Sequence, residues 1–320
     1  VSEVYLKNVE NYIKVKNTNR FLIDLANAER SLFEGKVVCI TGSNGKTTTK
    51  EIISTLLNKV SKTHQTLGNQ NNSIGVPLTF LGLNRDHKYL VIEIGTNTRG
   101  EIFELSSIVR PDVAIITNVA LAHSAGLGSL EEIASEKGDI LDSLNSGGVA
   151  ILPRDSTFYQ EWKERLGHKR AITFGIHPDS DFRIGDIHVD IRKSLTNFKL
   201  LHQGDIISCK INAIGGHNAL NSGAALSSLY ALGLDIVRAA SSLNDVLFPY
   251  RRLTVYSGIK DSILVDDTYN ANPDSVKSAL DEVSKIKNLK KLFIAGQMEE
   301  LGSKSIECHK EVIKYSEQRV

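Results

Sequence analysis

The fold of this chain is decided by the stretch KVVCITGSNGKTTTK at residues 36–50. An apolar, β-branched run comes first, a turn rich in glycine follows, and helix-compatible sequence begins at Thr47. Strand, glycine-rich turn and helix in this order are typical of a phosphate-binding loop. Glycines let backbone N–H groups point at an anion, and the start of the helix adds its positive dipole end. A plain turn between a strand and an exposed helix is the alternative interpretation.

The residues of this loop are candidate ligands for phosphate and metal. Lys46 is placed to reach the outer phosphates of a nucleotide, and the Thr47 hydroxyl is placed to bind Mg²⁺. Ile40 stands where the usual pattern has a small residue, so the loop is a shorter variant, TGSNGKT. The other residues expected to contact the phosphates are Gly42, Ser43, Asn44, Gly45 and Thr48.

Composition excludes some classes of function. The 320 residues suffice for about two domains, and 38 basic against 37 acidic side chains argue against binding to nucleic acid or to a membrane surface. Cys39, Cys209 and Cys308 have no metal-type spacing and fit a reducing, cytoplasmic compartment. Because no apolar run is long enough to span a bilayer, membrane insertion is not expected.

Apolar strand-like runs alternate with helical patterns from residue 36 to about 152. The predicted strands are 36–41, 88–94, 112–117 and 148–152, and the predicted helices are 46–59, 100–109 and 130–144. Near-continuous apolar strands are typical of a parallel sheet covered on both faces. The sequence therefore predicts a doubly wound, mostly parallel α/β domain.

Polar, alternating segments follow this domain. They lie at 181–189, 197–202 and 205–212 and predict antiparallel strands appended to the main sheet. The histidines of this part, among them His202, have no ligand spacing and are expected at the surface.

Three polar residues are expected together, because ligands of such sheets bind beyond the carboxyl ends of the strands. These residues are Lys46, Glu93 and His123. Glu93 interrupts an apolar run, and a buried, unpaired carboxylate is costly, so a Mg²⁺ ion would satisfy it. A solvated or paired carboxylate is the alternative for Glu93, and a loop histidine is the alternative for His123.

Several stretches of the chain resemble the Mur ligases, ATP-dependent enzymes that join a carboxylic acid to an amine. The most specific are GNQNNSIGVPLT at 68–79 and DDTYNANPDS at 266–275. The others are 40–51, 91–97, 117–128, 136–139, 216–218 and 296–302. Within the family, the resemblance favours the branch that adds D-alanyl-D-alanine to a UDP-muramoyl peptide for peptidoglycan.

The resemblance implies the roles of several residues in the first part of the chain. Lys46 and Thr47 would hold ATP phosphates and Mg²⁺, and Glu93 and His123 would be metal ligands. Lys137 matches the lysine that the family carries as a carbamate, whereas its sequence context alone predicts an exposed helical lysine. The implied contacts to the acid substrate are Asn69, Asn71 and Asn72.

The remaining implied ATP contacts come from the second half of the chain. Arg252 would approach the phosphates, and Asp267 would bind the ribose. The residues implied around the adenine are Tyr269, Asn270 and Asn272, for which an Asx-rich turn is the alternative. Asn218 would contact the nucleotide, cap a helix, or do both.

The resemblance also implies three parts. They are an amino-terminal helix or linker at 1–34, a central ATP-binding domain at 35–252, and an incomplete, Rossmann-like ligase domain at 253–320. In the last part strands are expected at 262–267 and 291–295, and a helix is expected to start at Pro273. The family has a separate amino-terminal domain for the uridine nucleotide. The chain is therefore expected to be a fragment, or a short relative with another acid substrate or a partner chain.

The hypothesis from the sequence is an ADP-forming ligase that works through an acyl phosphate. Three alternatives stay open: a ligase of the same superfamily with a different acid, a nucleotide hydrolase or kinase, and a non-catalytic ATP-binding subunit.

Overall fold

Nine strands form one sheet in the computed structural model, which describes residues 13–121, 124–287 and 289–320. The strands are β1 (Lys36–Thr41), β2 (Thr63–Gln65), β3 (Tyr89–Glu93), β4 (Val113–Ile116), β5 (Val149–Pro153), β6 (Arg170–Gly175), β7 (Phe182–Asp190), β8 (Leu195–His202) and β9 (Asp205–Ile211). Their order is β2-β3-β1-β4-β5-β6-β7-β8-β9. Pairing is parallel from β2 to β7 and antiparallel from β7 to β9, so the predicted antiparallel extension is confirmed.

Helices cover both faces of this sheet. They are α1 (Thr18–Leu32), α2 (Lys46–Asn58), α3 (Gly75–Leu81), α4 (Glu101–Val109), α5 (Ser124–Leu127), α6 (Leu130–Gly138), α7 (Tyr159–Leu166), α8 (Gly216–Ala231) and α9 (Ile236–Ser241). Alternate residues of β1 point into two separate cores: Val38 packs with α2 and α8, and Val37 packs with α1 and α4. The doubly wound α/β fold expected from the sequence is confirmed.

The region after residue 253 is smaller. It contains the antiparallel pair β10 (Thr254–Ser257) and β11 (Ile263–Asp266), followed by α10 (Pro273–Ser284) and α11 (Ser305–Ser316). Asn272 caps α10 through a reciprocal pair of hydrogen bonds with Ser275, as Asn before Pro predicts. Among the described residues no helix is long and apolar enough to cross a membrane.

Two predictions about local structure are wrong. Residues 291–295 form no strand, because an apolar run becomes a strand only where a neighbouring strand shares its backbone hydrogen bonds, and none of the described residues pairs with this segment. Leu292 and Ile294 are accordingly exposed. His202 is buried rather than at the surface, since its ring stacks on Phe182 with 4.0 Å between the ring centres.

Candidate nucleotide and metal site

The glycine-rich loop connects β1 to α2 at the carboxyl edge of the sheet. Gly45 has a φ of 80°, a left-handed conformation, and a Cβ there would overlap the Asn221 side chain. A Cβ on Gly42 would overlap the hydroxyl of Thr117. Both positions therefore require glycine, and the loop lies tightly between the end of β4 and α8.

The segment after β4 holds this loop in place. Asn118 accepts a hydrogen bond from the Asn44 backbone N–H at 2.9 Å and donates one to the Asn44 carbonyl at 3.0 Å. The Thr117 hydroxyl donates to the same carbonyl at 2.6 Å. The Ser43 hydroxyl and the Ala120 backbone are also hydrogen-bonded. Our assignment of site residues from the sequence omitted Thr117 and Asn118, although polar residues directly after a buried strand were a usable signal.

Lys46 lies over the loop that precedes it. Its ammonium donates to the carbonyls of Gly42 at 2.7 Å and Ser43 at 3.3 Å. Burial lowers the pKa of Lys46, while the charge of Glu93 opposes this shift and the charge of Arg252 adds to it. Lys46, Glu93 and Arg252 are therefore close enough for their charges to affect one another.

Glu93 ends β3 and is only 2% exposed. One oxygen accepts a hydrogen bond from the Asn71 side chain at 2.8 Å, and the other is buried without a hydrogen-bond partner among the described residues. A buried carboxylate oxygen with no donor is costly in a folded protein. An oxygen-seeking cation is a suitable partner, so the donor set fits Mg²⁺ beside a phosphate site.

The three asparagines of 69–72 differ in their surroundings. Asn69, Asn71 and Asn72 all line the cleft described below. Asn71 is committed to Glu93, and the Asn72 side chain accepts from the backbone N–H of Ile74 at 3.2 Å and of Gly75 at 2.9 Å. The side chains of Asn71 and Asn72 therefore organise this segment of the protein.

Lys137 is 2% exposed, so the alternative of an exposed helical lysine is wrong. Burial lowers the pKa of Lys137 to about 7, with a further decrease from the charge of Lys46 and an opposing effect of Glu136. Glu136 also accepts hydrogen bonds from the backbone of Gly100 and Ile102 at the start of α4. A large part of the Lys137 side chain population is therefore the neutral amine near neutral pH.

The region after residue 251 reaches across the cleft to the phosphate loop. The Asn272 amide donates to the Asn44 side chain at 2.7 Å, and Arg252 donates to the Thr47 hydroxyl at 3.3 Å. The Arg252 guanidinium lies over the Tyr269 ring, 4.3 Å from its centre. Burial raises the pKa of Asp267 to about 6, although the backbone N–H of Leu253 and the charge of Arg252 oppose the shift.

Asn218 lies inside α8, and the residue that caps this helix is Gly215. The Asn218 side chain donates to the Ile214 carbonyl at 2.8 Å and accepts from Asn221 at 3.4 Å. The helix-cap alternative for Asn218 is therefore wrong, and the residue faces the cleft instead.

These contacts enclose one cleft of about 590 Å³. The predicted site residues that line it are Ser43, Asn44, Gly45, Lys46, Thr47, Thr48, Asn69, Asn71, Asn72, Glu93, Asn218, Arg252, Asp267, Tyr269, Asn270 and Asn272. Gly42 and Lys137 are not part of this lining, and His123 lies outside the described residues. Additional residues of the lining that the sequence interpretation did not assign include Asn221, Asp274 and Glu300.

The chain matches one protein family over most of its length. Residues 40–229 match the Mur ligase middle domain, and residues 251–320 match the Mur ligase glutamate ligase domain. A UDP-N-acetylmuramoyl-tripeptide–D-alanyl-D-alanine ligase of Buchnera aphidicola subsp. Baizongia pistaciae is 34% identical over 308 residues, which are 96% of this chain and 66% of that protein. The chain thus spans just under two thirds of that relative's length.

Solved structures give the same result. MurF from Acinetobacter baumannii superposes with a TM-score of 0.89 at 32% identity, over 94% of this chain and 65% of that one. MurF from Thermotoga maritima, solved with ADP, has a TM-score of 0.84 at 29% identity, over 96% and 70% of the two chains. With the match of the middle domain covering more than half of the sequence, this chain belongs to the Mur ligase family.

Proposed function

We propose that this chain carries the ATP-dependent chemistry of a ligase that joins a carboxylic acid to an amine through an acyl phosphate. The observation that carries the proposal is the convergence of two regions on one cleft. The phosphate loop, Lys46 and Glu93 come from the large sheet, and Arg252 and Asp267 come from the region after it. A nucleotide held from both sides is suited to transfer of its terminal phosphate.

The proposed reaction has two steps. A carboxylate oxygen of the acid attacks the γ-phosphorus of ATP, the bond to the bridging oxygen breaks, and ADP leaves. The amine then attacks the acyl carbon, inorganic phosphate leaves, and the amine loses a proton, which gives the amide. Lys46 and Arg252 would stabilise the charge on the phosphoryl group in the first step.

The chain offers residues for the metal and for the nucleotide. Thr47 and Glu93 would hold Mg²⁺, with His123 as a further proposed ligand, and the bound ion would neutralise phosphate charge. We also propose that Asp267 contacts the ribose, and that Asn218, Tyr269, Asn270 and Asn272 surround the base. Closure of the second region over the cleft would exclude water and protect the acyl phosphate.

Lys137 is proposed to act as a carbamate. Its amine is buried, and its pKa is lowered to about 7, so the neutral, nucleophilic form is accessible. Addition of CO₂ to the neutral amine forms an N–C bond and releases a proton, which places an anion beside Lys46. Lys137→Ala is expected to lose activity, and short carboxylic acids are expected to restore part of it. A failure of this restoration would contradict the carbamate.

The proposed substrates are a UDP-muramoyl tripeptide and D-alanyl-D-alanine, in peptidoglycan synthesis in the cytoplasm. The name of the relatives at 33–34% identity, UDP-N-acetylmuramoyl-tripeptide–D-alanyl-D-alanine ligase, supports this pair. The match boundaries at 229 and 251 support our proposed division into 1–34, 35–252 and 253–320. We also propose that a partner chain could complete the substrate site.

Phosphate release from Mg-ATP tests the activity, with candidate acids and amines added singly and together. Release that needs both substrates, with an amide product seen by mass spectrometry, is the expected result. Release without either substrate would favour a hydrolase. ATP binding without any release would favour a non-catalytic ATP-binding subunit.

A further inference from the structure

Lys50 is a fully buried lysine one helical turn beyond the phosphate loop. Its side chain in α2 has 0% exposure. The ammonium donates to the carbonyls of Thr66 at 2.8 Å and Gly68 at 3.1 Å, and it pairs with the Glu51 carboxylate at 3.1 Å. An ammonium has three N–H donors, so each donor has an acceptor within reach.

The segment that Lys50 holds, residues 66–71, is also attached to the end of β3. The Thr66 backbone N–H donates to the Val91 carbonyl at 3.0 Å, and the Thr66 hydroxyl accepts from the Glu93 N–H at 3.1 Å. The Asn71 carbonyl accepts from the Gly95 N–H at 2.9 Å, and the Asn71 amide donates to Glu93. Residues 66–71 therefore lie between α2 and the candidate metal ligand.

We propose that Lys50 is a positioning residue that ties residues 66–71 to the phosphate-loop helix and thereby sets the place of Asn71 and Glu93 in the cleft. Through these two loop carbonyls Lys50 connects α2 directly to this segment. Gly68 has a φ of 54°, so its carbonyl is presented by a turn that favours glycine. Without the ammonium these carbonyls lose their buried donor, and the segment is free to shift.

Loss of the Lys50 ammonium is expected to affect both stability and position. Replacing a whole buried ion pair with apolar residues is often neutral for folding, but removing one partner leaves the other groups unpaired and destabilises the protein. Lys50→Met is therefore expected to lower the free energy of unfolding, and the positioning role predicts a further, local loosening of residues 66–71. Hydrogen exchange distinguishes the two effects, because it is measured amide by amide.

Hydrogen exchange of Lys50→Met tests the position directly and needs no activity. The amides of Thr66, Asn71 and Gly95 are expected to exchange about tenfold faster than in the native chain, because hydrogen bonds from a charged donor are lost. The amide of Thr49, which bonds to Gly45 within α2, serves as an internal reference for global stability, and its exchange rate is expected to change less than those of the three loop amides. Lys59→Met at the exposed end of α2 is the matched control, expected to leave all of these rates unchanged.

Kinetics supply the second measurement, and this part rests on the proposed ligase function. Lys50→Met is expected to lower kcat about tenfold or more while the Kd of ATP stays within about twofold, because a displaced catalytic group affects the reaction more than nucleotide binding. If the native chain lacks ligase activity but the local exchange increases as expected, the proposed function fails and the positioning role stands.

Two results would overturn the positioning role. One is unchanged exchange at Thr66, Asn71 and Gly95 in Lys50→Met, and the other is an equal increase at these amides and at Thr49, which would indicate general destabilisation. Should Lys50→Met fail to fold, Lys50→Gln is measured in the same way. Its amide retains part of the hydrogen bonding, so a smaller increase at the same amides is expected.

Discussion

The buried Glu93 oxygen that lacks a hydrogen-bond partner among the described residues is the proposed metal ligand, and its charge can be removed without changing the size of the side chain. Glu93→Gln keeps an oxygen for the bond from Asn71 but removes the negative charge that would attract a cation. We expect the affinity for Mn²⁺, used as a probe in the presence of a non-hydrolysable ATP analogue, to fall about tenfold or more. Electron paramagnetic resonance of free Mn²⁺ measures this affinity.

The free energy of unfolding provides the control for Glu93→Gln. One Glu93 oxygen is buried without a hydrogen-bond partner among the described residues, but the carboxylate also attracts the Lys46 ammonium. These opposing effects are expected to leave stability in the absence of metal nearly unchanged. Asp86→Asn, at an exposed carboxylate paired with Lys62, is the matched variant and is expected to keep Mn²⁺ affinity. Lower stability of Glu93→Gln with full Mn²⁺ affinity would assign Glu93 a purely structural role.

Lys137 makes stability depend on pH in a defined direction. Burial lowers the pKa of Lys137 in the folded chain from 10.5 to about 7. Between these pH values the unfolded chain binds a proton that the folded chain does not, so stability rises with pH by up to about 1.4 kcal/mol per unit. The destabilisation is complete below about pH 7 and is relieved as the pH approaches 10.5.

Urea unfolding in buffers free of CO₂ at pH 7, 8 and 9 measures this effect of Lys137. The stability of the native chain relative to Lys137→Met is expected to rise at each step. The same comparison with Lys59→Met, which changes an exposed lysine, is expected to stay flat. A flat difference for Lys137→Met would show that the amine is not held in the state that its burial implies.

The helix α10 attaches the second region to the large sheet at both of its ends. Its cap Asn272 binds Asn44 in the phosphate loop, and near its other end Glu282, 6% exposed, accepts from the Gly216 N–H at 3.0 Å. The second Glu282 oxygen accepts from Lys285 at 2.9 Å. Because Gly216 begins α8, the carboxylate also interacts favourably with the positive end of that helix.

Glu282→Leu is therefore expected to destabilise the chain by about 2 kcal/mol, since it leaves the Gly216 N–H and the Lys285 ammonium without their partner. Weaker binding of ATP is expected with it, because α10 carries Asn272 to the cleft. Urea unfolding and calorimetric titration measure the two effects. Glu282→Gln keeps an acceptor for Gly216 and should lose less, and an equal loss in both variants would contradict the role of the hydrogen bond to Gly216.

The two-sided cleft predicts that nucleotide stabilises the entire fold. At a concentration of Mg-ADP 100 times its Kd, the free energy of unfolding is expected to rise by about 2.7 kcal/mol, because the ligand binds the folded chain only. At that same nucleotide concentration Lys46→Met is expected to lose more than half of this gain, whereas Lys59→Met keeps it. Urea unfolding with and without nucleotide measures the gain, and a full gain in Lys46→Met would place the phosphates away from the loop.

Structural features that depend only on residues close together in the chain could be predicted from the sequence. The order β1, loop and α2 follows from an apolar run, glycines and a helix pattern at residues 36–50, all of them local. The cap of α10 by Asn272 followed from Asn-Pro in the same way. By contrast β2 is a short polar strand of three residues, THQ, and has no pattern of its own. Its existence depends on β3, with which it pairs.

Local chemistry in the amino-acid sequence was enough to predict a glycine-rich loop between a strand and a helix, a buried parallel sheet, and the carboxylate of Glu93 that interrupts it. Only the tertiary structure decided which residues distant in the chain come together. Examples are the hydrogen bonds of Asn118 with Asn44 and of Lys50 with Thr66, and the burial of Lys137. The same limit explains the wrong strand at 291–295, because the apolar run is visible in the sequence whereas the absence of a pairing strand among the described residues is not. Backbone preferences act over a few residues, whereas burial and hydrogen bonding across the cleft depend on the packing of the entire chain.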